Sequence, residues 1–234
     1  MGLKKLHSGR SPGPDGLRAE FLKYAYEVEL VDSDSPPVTH NVLLPILHDL
    51  YQALFSSGEF VRQWAMATLS PIFKKGDASN LDNYRAIAVG SVLGKLYAVI
   101  LDTRLSVCAE NSGWRAEGQA GFRPGKSTVD HVFVLRHLIE STQRSTDKVL
   151  YCCFVDFRKA YDKVRRDYLI RRLAELGVHG RMLQAIAQMY WAAPLVPKLN
   201  GKLGEPIKST CGVKQGDPLS PLLFGLLLMN LWLG

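Results

Sequence analysis

Two carboxylates in the stretch "KVLYCCFVDFRKAYDKV" (148–164) pose the chemical question. Asp156 closes an apolar run, and Asp162 follows six residues later. Val149, Tyr151, Cys153 and Val155 alternate with Leu150, Cys152 and Phe154, and every one of them is apolar. A run apolar on both faces is expected to be a central strand buried on both sides. A carboxylate at the end of such a strand is costly unless it meets water, a cation or hydrogen-bond donors. One use for it is to hold a hard divalent ion such as Mg2+, which takes oxygen ligands at a sheet end open to phosphates. The other is structural, with Asp156 as a turn residue or a helix cap.

Other stretches combine cations with glycine. "GFRPGKST" (121–128) has the look of a phosphate loop, but only three residues separate Gly121 from Gly125 where the nucleotide-binding P-loop needs four. Arg123, Lys126, Ser127 and several backbone N–H groups still precede a helix start, a place suited to a phosphate backbone. "IFKKGDASNLDNYRAIAV" gathers Lys74, Lys75 and Arg85 around one turn between short strands. "GVKQGDPLSP" offers Gln215 beside Gly216, whose missing side chain lets a flat group approach the backbone. Each of these, taken alone, also reads as a solvated turn.

The elements that must position these residues follow from periodicity and punctuation. "SGRSPGPDG" (8–16) is turn chemistry. Asp15 is expected to cap a helix running to about Glu29, with Leu17, Phe21, Leu22 and Ala25 on one face. "DSDSPP" (32–37) reads as a loop, and residues 42–57 as a helix. Short strands are expected within 64–77 and at "NYRAIAV". Ser91 opens a long helix to about Cys108, and another helix covers about 129–142. Asp167 caps a helix stopped by Gly177, and a further helix covers 180–191. Asn200-Gly201 marks a type I′ hairpin turn, and Ser220 is expected to cap the last helix with Pro221 at its first position. Strands and helices mix without regular βαβ alternation, which predicts an α+β fold.

Composition sets the outer limits. The 234-residue chain is 47% hydrophobic, enough for a core, and its net charge of +7 suits a polyanionic partner. The four cysteines lack metal-ligand spacing and are expected to be buried free thiols. The N-terminus lacks a signal core and, with Leu6 where Ser or Thr is needed, a myristoylation pattern. The apolar run 221–233 is too short to span a bilayer, so no membrane partner is expected.

In order along the chain stand "SPGPDGLRAEFLK", "LSPIFKKGD", "NYRAIAV", "AGFRPGKSTVD", "FVDFRKAYDKV" and "GVKQGDPLSPLLF". This series resembles the reverse transcriptase domain of non-LTR retrotransposons (long interspersed elements) and, more distantly, group II intron reverse transcriptases. The resemblance covers about residues 3–230. It implies a right-hand polymerase, with fingers and a partial palm of split βαβ, ferredoxin-like type and without a thumb. On that reading 1–147 are fingers with template-binding motifs, and 148–162 are the palm strand with the first catalytic aspartate. Residues 163–214 connect fingers and palm, and 215–234 form the Gln-Gly loop and a palm helix.

The resemblance also implies the chemistry. Two Mg2+ ions, about 3.5–4 Å apart, support transfer of a nucleotide from a dNTP to a DNA primer 3′-hydroxyl on an RNA template. Asp156 is implied as a metal ligand and catalytic residue, with the backbone carbonyl of Phe157 beside it. Tyr161 is implied as the gate that clashes with a ribose 2′-hydroxyl. Lys74 or Lys75, with Arg85, would grip the triphosphate, and Gln215 and Gly216 would lie under the nucleotide. Arg10, Pro14, Asp15 and Gly16, with Arg123, Lys126 and Ser127, would contact nucleic acid. Asp162 is then a brace rather than a metal ligand.

The family's second metal motif, a Tyr/Phe-x-Asp-Asp hairpin, does not occur in the sequence, so the metal site is expected to be incomplete and the chain alone inactive. Palm hairpin and thumb are expected from a longer polyprotein. The strand ending at Asp156 would then leave an open apolar edge. Localisation follows only from the family: intracellular, with nucleus and cytoplasm both possible. The rival readings are a non-catalytic nucleic-acid-binding remnant and a translated relic without a selected role.

Overall fold

The structure is a computed structural model that describes residues 2–29, 38–145, 148–191 and 194–229. The loop expected at 32–37 and the last residues of the chain, expected to be helical, lie outside these. The α+β expectation holds. Its axis is helix α4 (Val92–Asn111), which must be apolar on most sides because other elements surround it. Leu96, Tyr97, Ala98, Leu101, Leu105 and Ala109 are all buried. Ser91 caps it as its sequence position suggests, its Oγ accepting from Leu93 N at 3.2 Å.

Beside the short α3 (Arg62–Ala65), α4 is packed by α2 (Leu43–Ser57), α6 (Arg166–Glu175), α7 (Gly180–Trp191) and α8 (Ser220–Leu228). They contribute Leu47 and Tyr51, Leu169 and Leu173, Ala185 and Ile186, and Leu223 and Leu226. The Tyr51 ring stacks on Tyr97 at 5.6 Å, and Phe60 packs against Tyr97 at 5.9 Å. Truncating a fully buried member such as Leu101 would cost about 2–5 kcal/mol, the usual loss of transfer energy plus a cavity.

The main sheet pairs β3 (Ala67–Phe73) antiparallel with β4 (Tyr84–Gly90), from Ala67 opposite Gly90 to Phe73 opposite Tyr84. On its other side β3 runs parallel to β5 (Pro194–Leu199), but only from Ala67 to Leu69. Pro71, which has no N–H to give, sits just past that pairing, where β3 has become an edge. β6 (Lys202–Leu203) and β7 (Ile207–Lys208) both pair with β5. The β5–β6 turn has Asn200 at φ 49° and Gly201 at φ 80°, the left-handed pair that an Asn-Gly hairpin turn requires.

Several expectations are overturned. The helix expected from Asp15 to Glu29 is only α1 (Ala19–Lys23), because Tyr26–Glu29 forms strand β1 against β2 (Val38–Asn41). Tyr26 and Val28 have the two-residue period of a strand, and pairing with β2 outweighs the helical spacing upstream. Asn41 secures the change. Its Nδ2 donates to the last-turn carbonyls of Leu22 and Lys23, and its Oδ1 accepts from Leu43 N at the start of α2. Asp15 forms a local turn, accepting from Leu17 N at 3.1 Å, and caps no helix.

The larger correction concerns 148–157, which is irregular and exposed rather than a buried central strand. Tyr151 is 90% and Phe154 82% exposed. An extended segment keeps strand form only when neighbours take up its N–H and C=O groups, and no described segment does so here. The thiols follow suit, since all four cysteines are exposed. Helix α5 (Thr128–Gln143) forms as expected but buries no residue, leaving Val132 and Phe133 in solvent. Smaller differences lie at helix starts. Arg165, not Asp167, precedes α6, and Ser220 is the first residue of α8 rather than its cap.

Candidate functional site

The β3–β4 connection is a rigid basic turn. Asp77 accepts from Ser79 N and Oγ at 2.9 and 2.8 Å, Asn83 Nδ2 donates to Asp77 O, and Lys74 N donates to Asn83 O. Lys74 and Lys75 stand exposed on it and make no ion pair among the described residues, while Arg85 lies on β4 opposite Ile72. The turn thus presents cations on a stiff support.

The segment after Asp156 is short and tightly turned. Asp156 is exposed and makes no side-chain hydrogen bond among the described residues. The N–H groups of Asp162 and Lys163 both donate to Lys159 O, closing a 3-10 turn over Tyr161–Lys163. The Tyr161 ring stacks on Phe224 at 5.0 Å, and Phe157 meets the same ring edge-on at 6.4 Å. Helix α8 is therefore the backing against which this segment is set. Burial beside Phe224 pushes the Tyr161 phenol above its usual pKa.

The Gln-Gly loop joins these two parts. Gln215 O accepts from Ala88 N at 3.0 Å, so the loop lies along the free edge of β4. On its other side Gln215 Nε2 donates to Asp162 Oδ1 at 3.1 Å, Val213 N donates to Tyr161 O, and Gly212 N donates to Val164 O. Gly216 has φ 105°, and a Cβ there would stand 3.2 Å from Ala88 O. Only glycine suits that backbone so close to the strand.

Arg166 fixes the loop from behind. Its buried guanidinium donates to the carbonyls of Ser209, Tyr190, Cys211 and Gly212 and to Ser209 Oγ, at 2.6–3.0 Å. Lys214 Nζ donates to Ala65 O at 2.7 Å, and Asp217 Oδ1 accepts from Leu219 N at 2.9 Å. Burial lowers the Lys214 pKa and raises that of Asp217, while their mutual attraction opposes both shifts.

The N-terminal turn completes a cleft. Gly13 lies so close to Gly90 that a Cβ would stand 2.4 Å from its carbonyl oxygen. Arg10 and Gly13 then share a cleft of about 560 Å³ with Gly216, Lys95, Lys198 and Lys214. Pro14, Asp15 and Gly16 stand exposed at the same turn.

The structure thus brings together Tyr161, Asp162, Gln215, Gly216 and the strand bearing Arg85, with Arg10 in the adjoining cleft. The loop 121–127 is held elsewhere, against α4. Arg123 is bound to both Glu110 oxygens and to Ala116 O, so its guanidinium is already engaged. Ser127 serves the start of α5, its N–H donating to Asp130 Oδ2 at 2.7 Å. Lys126 is the exposed cation of that loop.

Asp82, which accepts from Lys159 Nζ and Arg158 Nη2, carries weight here with Arg166 and Lys214 that the sequence did not reveal. Asp82 sits in an ordinary polar turn, and nothing local to the "RR" at 165–166 says which arginine turns inward. No group of three or more His, Cys, Asp or Glu side chains converges among the described residues. Asp156 with the Phe157 carbonyl is too small a donor set for two divalent ions.

A family model described as "Reverse transcriptase (RNA-dependent DNA polymerase)" matches residues 72–232. The transposon TX1 uncharacterized 149 kDa protein of Xenopus laevis is 31% identical over 225 residues, covering 96% of this chain and 16% of that protein. The probable RNA-directed DNA polymerase from transposon BS of Drosophila melanogaster is 27% identical over 98% of this chain and 24% of its own length. A Pol polyprotein from the type-1 retrotransposable element R2 of Popillia japonica is 30% identical over 74% of this chain and 24% of its own. The chain therefore spans less than a quarter of the length of these curated relatives.

Among solved structures, telomerase from Candida tropicalis, in complex with a fragment of telomeric RNA, is similar in fold. Its TM-score is 0.50 at 12% identity, over 92% of this chain and 40% of that one. Such a fold, and relatives drawn from retrotransposons, agree with the order of motifs in the sequence. The chain belongs to the reverse transcriptase (RNA-dependent DNA polymerase) family, within its non-LTR retrotransposon branch.

Proposed function

We propose that this chain is the fingers and part of the palm of an RNA-directed DNA polymerase, the part that seats an RNA template and an incoming dNTP beside a DNA primer. The observation that carries the reading is the Gln215–Gly216 loop, bonded on one side to β4 and on the other to the Tyr161–Asp162 turn. That loop and the Tyr161 turn lie side by side, and the resemblance assigns both to the nucleotide. Lys74, Lys75 and Arg85 supply positive charge for a triphosphate, and Tyr161 supplies a bulky wall. Arg10 and Lys126 supply exposed cations for a nucleic-acid backbone.

Asp156 is one ligand of a Mg2+ site whose other carboxylates come from outside the described residues. The described residues position and neutralise; they do not complete the metal site, and the chain alone binds without transferring. Primer extension on an RNA template with Mg2+ tests this. The chain alone should bind primer–template and incorporate nothing. The same chain joined in cis to the downstream segment of a retrotransposon relative should extend the primer, and Asp156→Asn should abolish that extension. Asp156-dependent incorporation by the chain alone would overturn the incomplete-site reading, and an inert extended chain would overturn the polymerase reading.

The exposed cations Arg10, Lys74, Lys75 and Lys126 would equally serve one alternative, a nucleic-acid-binding remnant without catalysis. Salt-sensitive RNA binding in both forms, with no incorporation in either, would select it.

A further inference from the structure

We infer that Asp82 is a positioning residue, a carboxylate latch that fastens the basic β3–β4 hairpin to the turn following Asp156. Its Oδ1 meets Lys159 Nζ at 2.6 Å and its Oδ2 meets Arg158 Nη2 at 3.2 Å, across 77 and 76 residues of sequence. Among the described residues these are the hydrogen bonds that join the hairpin turn directly to the 156–164 segment. Among the described residues, the other hydrogen-bonded path between the two runs through the Gln-Gly loop.

The setting distinguishes this contact from scattered surface pairs. The hairpin carries Lys74, Lys75 and Arg85, and the facing segment carries Arg158, Lys159 and Lys163 beside Asp156 and an Asp162 engaged by Gln215. Like charges on two facing parts push them apart. Asp77, the nearby carboxylate of the same turn, is occupied by Ser79. The joining role therefore falls to Asp82, and its attraction to Lys159 and Arg158 holds its carboxyl below the usual aspartate range.

Lys159 also sits at φ 54°, in the left-handed region that a lysine seldom occupies. That conformation coincides with an ammonium group placed on Asp82. It is where the ion pair and the turn that shapes Tyr161 meet, since Lys159 O accepts both N–H groups of that turn. Removing the carboxylate should free the hairpin and relax the turn together. The consequence for nucleotide binding rests on the polymerase reading, whereas the latch itself does not.

Zero-length carbodiimide coupling of the full chain, read by mass spectrometry, tests the contact. The native chain should yield an Asp82–Lys159 linked peptide, absent from Asp82→Asn and from Lys159→Arg. Failure to form that link while other carboxylate–lysine pairs couple would overturn the latch.

Hydrogen exchange across 74–85 and 158–163 tests the fastening. Asp82→Lys should speed exchange in both segments about two- to fivefold, the scale of an exposed ion pair. The double variant Asp82→Lys with Lys159→Asp should return it towards the native rate. Faster exchange confined to the hairpin, or no recovery in the swap, would overturn the proposal.

Binding of Mg2+·dTTP gives the independent arm. Asp82→Asn should weaken it by a similar factor if the reading of the site is right. A native chain that binds no triphosphate, yet forms the link and shows coupled exchange, would sink the nucleotide reading and leave the latch standing.

Discussion

Gln215 Nε2 donates to Asp162 Oδ1 at 3.1 Å, joining positions 53 residues apart. This gives Asp162 a definite task, holding the Gln-Gly loop against the Tyr161 turn. Asp162→Ala and Gln215→Ala should each destabilise the chain by about 0.5–1.5 kcal/mol. The double variant should cost less than the sum of the two. Denaturant unfolding in a double-mutant cycle reads that coupling, and full additivity would show that the contact holds nothing in solution.

Arg166 is the strongest single fastening of the same loop. Replacing it with Met leaves the carbonyls of Ser209, Cys211, Gly212 and Tyr190 without their donor. The expected loss is about 2–4 kcal/mol, because the buried carbonyls of Tyr190 and Gly212 lose their donor while those of Ser209 and Cys211 can turn to water. Arg166→Lys should recover only part of it, since one ammonium cannot reproduce the spread of the guanidinium fork. Thermal unfolding of both variants checks the order, and equal melting of Arg166→Lys and the native chain would contradict it.

Asp217 gives the fold a pH dependence of definite sign. Burial raises its carboxyl above the ordinary 3.8, so the folded chain holds this proton more tightly than the unfolded chain does. Stability from this group is full below the unfolded value and is lost as the pH rises through the raised folded value. Asp217→Asn, which keeps an acceptor for Leu219 N, lacks that loss. Its melting temperature relative to the native chain should therefore climb as the pH rises above the ordinary 3.8. Lys214, lowered by burial, works in the opposite sense: its contribution is full above its ordinary 10.5 and lost as pH falls through the lowered value. A native chain that gains on Asp217→Asn across the acid range would show that attraction to Lys214 outweighs burial.

The sequence was most legible where local rules and packing agree. Ser91 caps a helix because its hydroxyl meets a nearby N–H, and Asn200-Gly201 turns because both residues accept left-handed backbone. That the Gln215–Gly216 loop and Tyr161 serve one nucleotide was implied by the resemblance, not by any local signal. What stayed hidden depended on distant partners. Tyr26–Glu29 became a strand only because Val38–Asn41 lies beside it. Arg123 carries the charge of a phosphate ligand, but Glu110, on the preceding helix, has taken it. The apolar alternation of 149–155 has the pattern of a strand, but a pattern supplies no hydrogen-bond partner.

That last point has a measurable consequence. Val149, Tyr151, Phe154 and Val155 stand in solvent, as do Val132, Phe133 and Leu138 on α5. Exposed apolar surface of this extent favours association. The chain alone should bind a hydrophobic-probe dye and aggregate as its concentration rises. Phe154→Lys with Val155→Thr should reduce both effects without shifting the main unfolding transition, because neither side chain belongs to the core. A low dye signal and a monomer at high concentration in the native chain would show that the segment finds cover in solution.

Tyr161 offers the sharpest test of the site, in the extended polymerase rather than in the chain alone. Its ring is held flat against Phe224 and its backbone is tied to Val213, so the side chain has little freedom to swing away. A fixed ring beside the sugar would exclude a 2′-hydroxyl by clash. Tyr161→Ala should therefore raise ribonucleotide incorporation relative to deoxynucleotide by ~10–100-fold, the scale on which a pocket discriminates one hydroxyl. Tyr161→Phe should leave the preference unchanged, because the wall is the ring and not the phenol. Phe224→Ala should relax the preference partway, since the ring keeps its place only while its stacking partner remains. An unchanged sugar preference in Tyr161→Ala would remove the gate from the site. A loss in Tyr161→Phe equal to that in Tyr161→Ala would move the discrimination from the ring to a hydrogen bond of its hydroxyl.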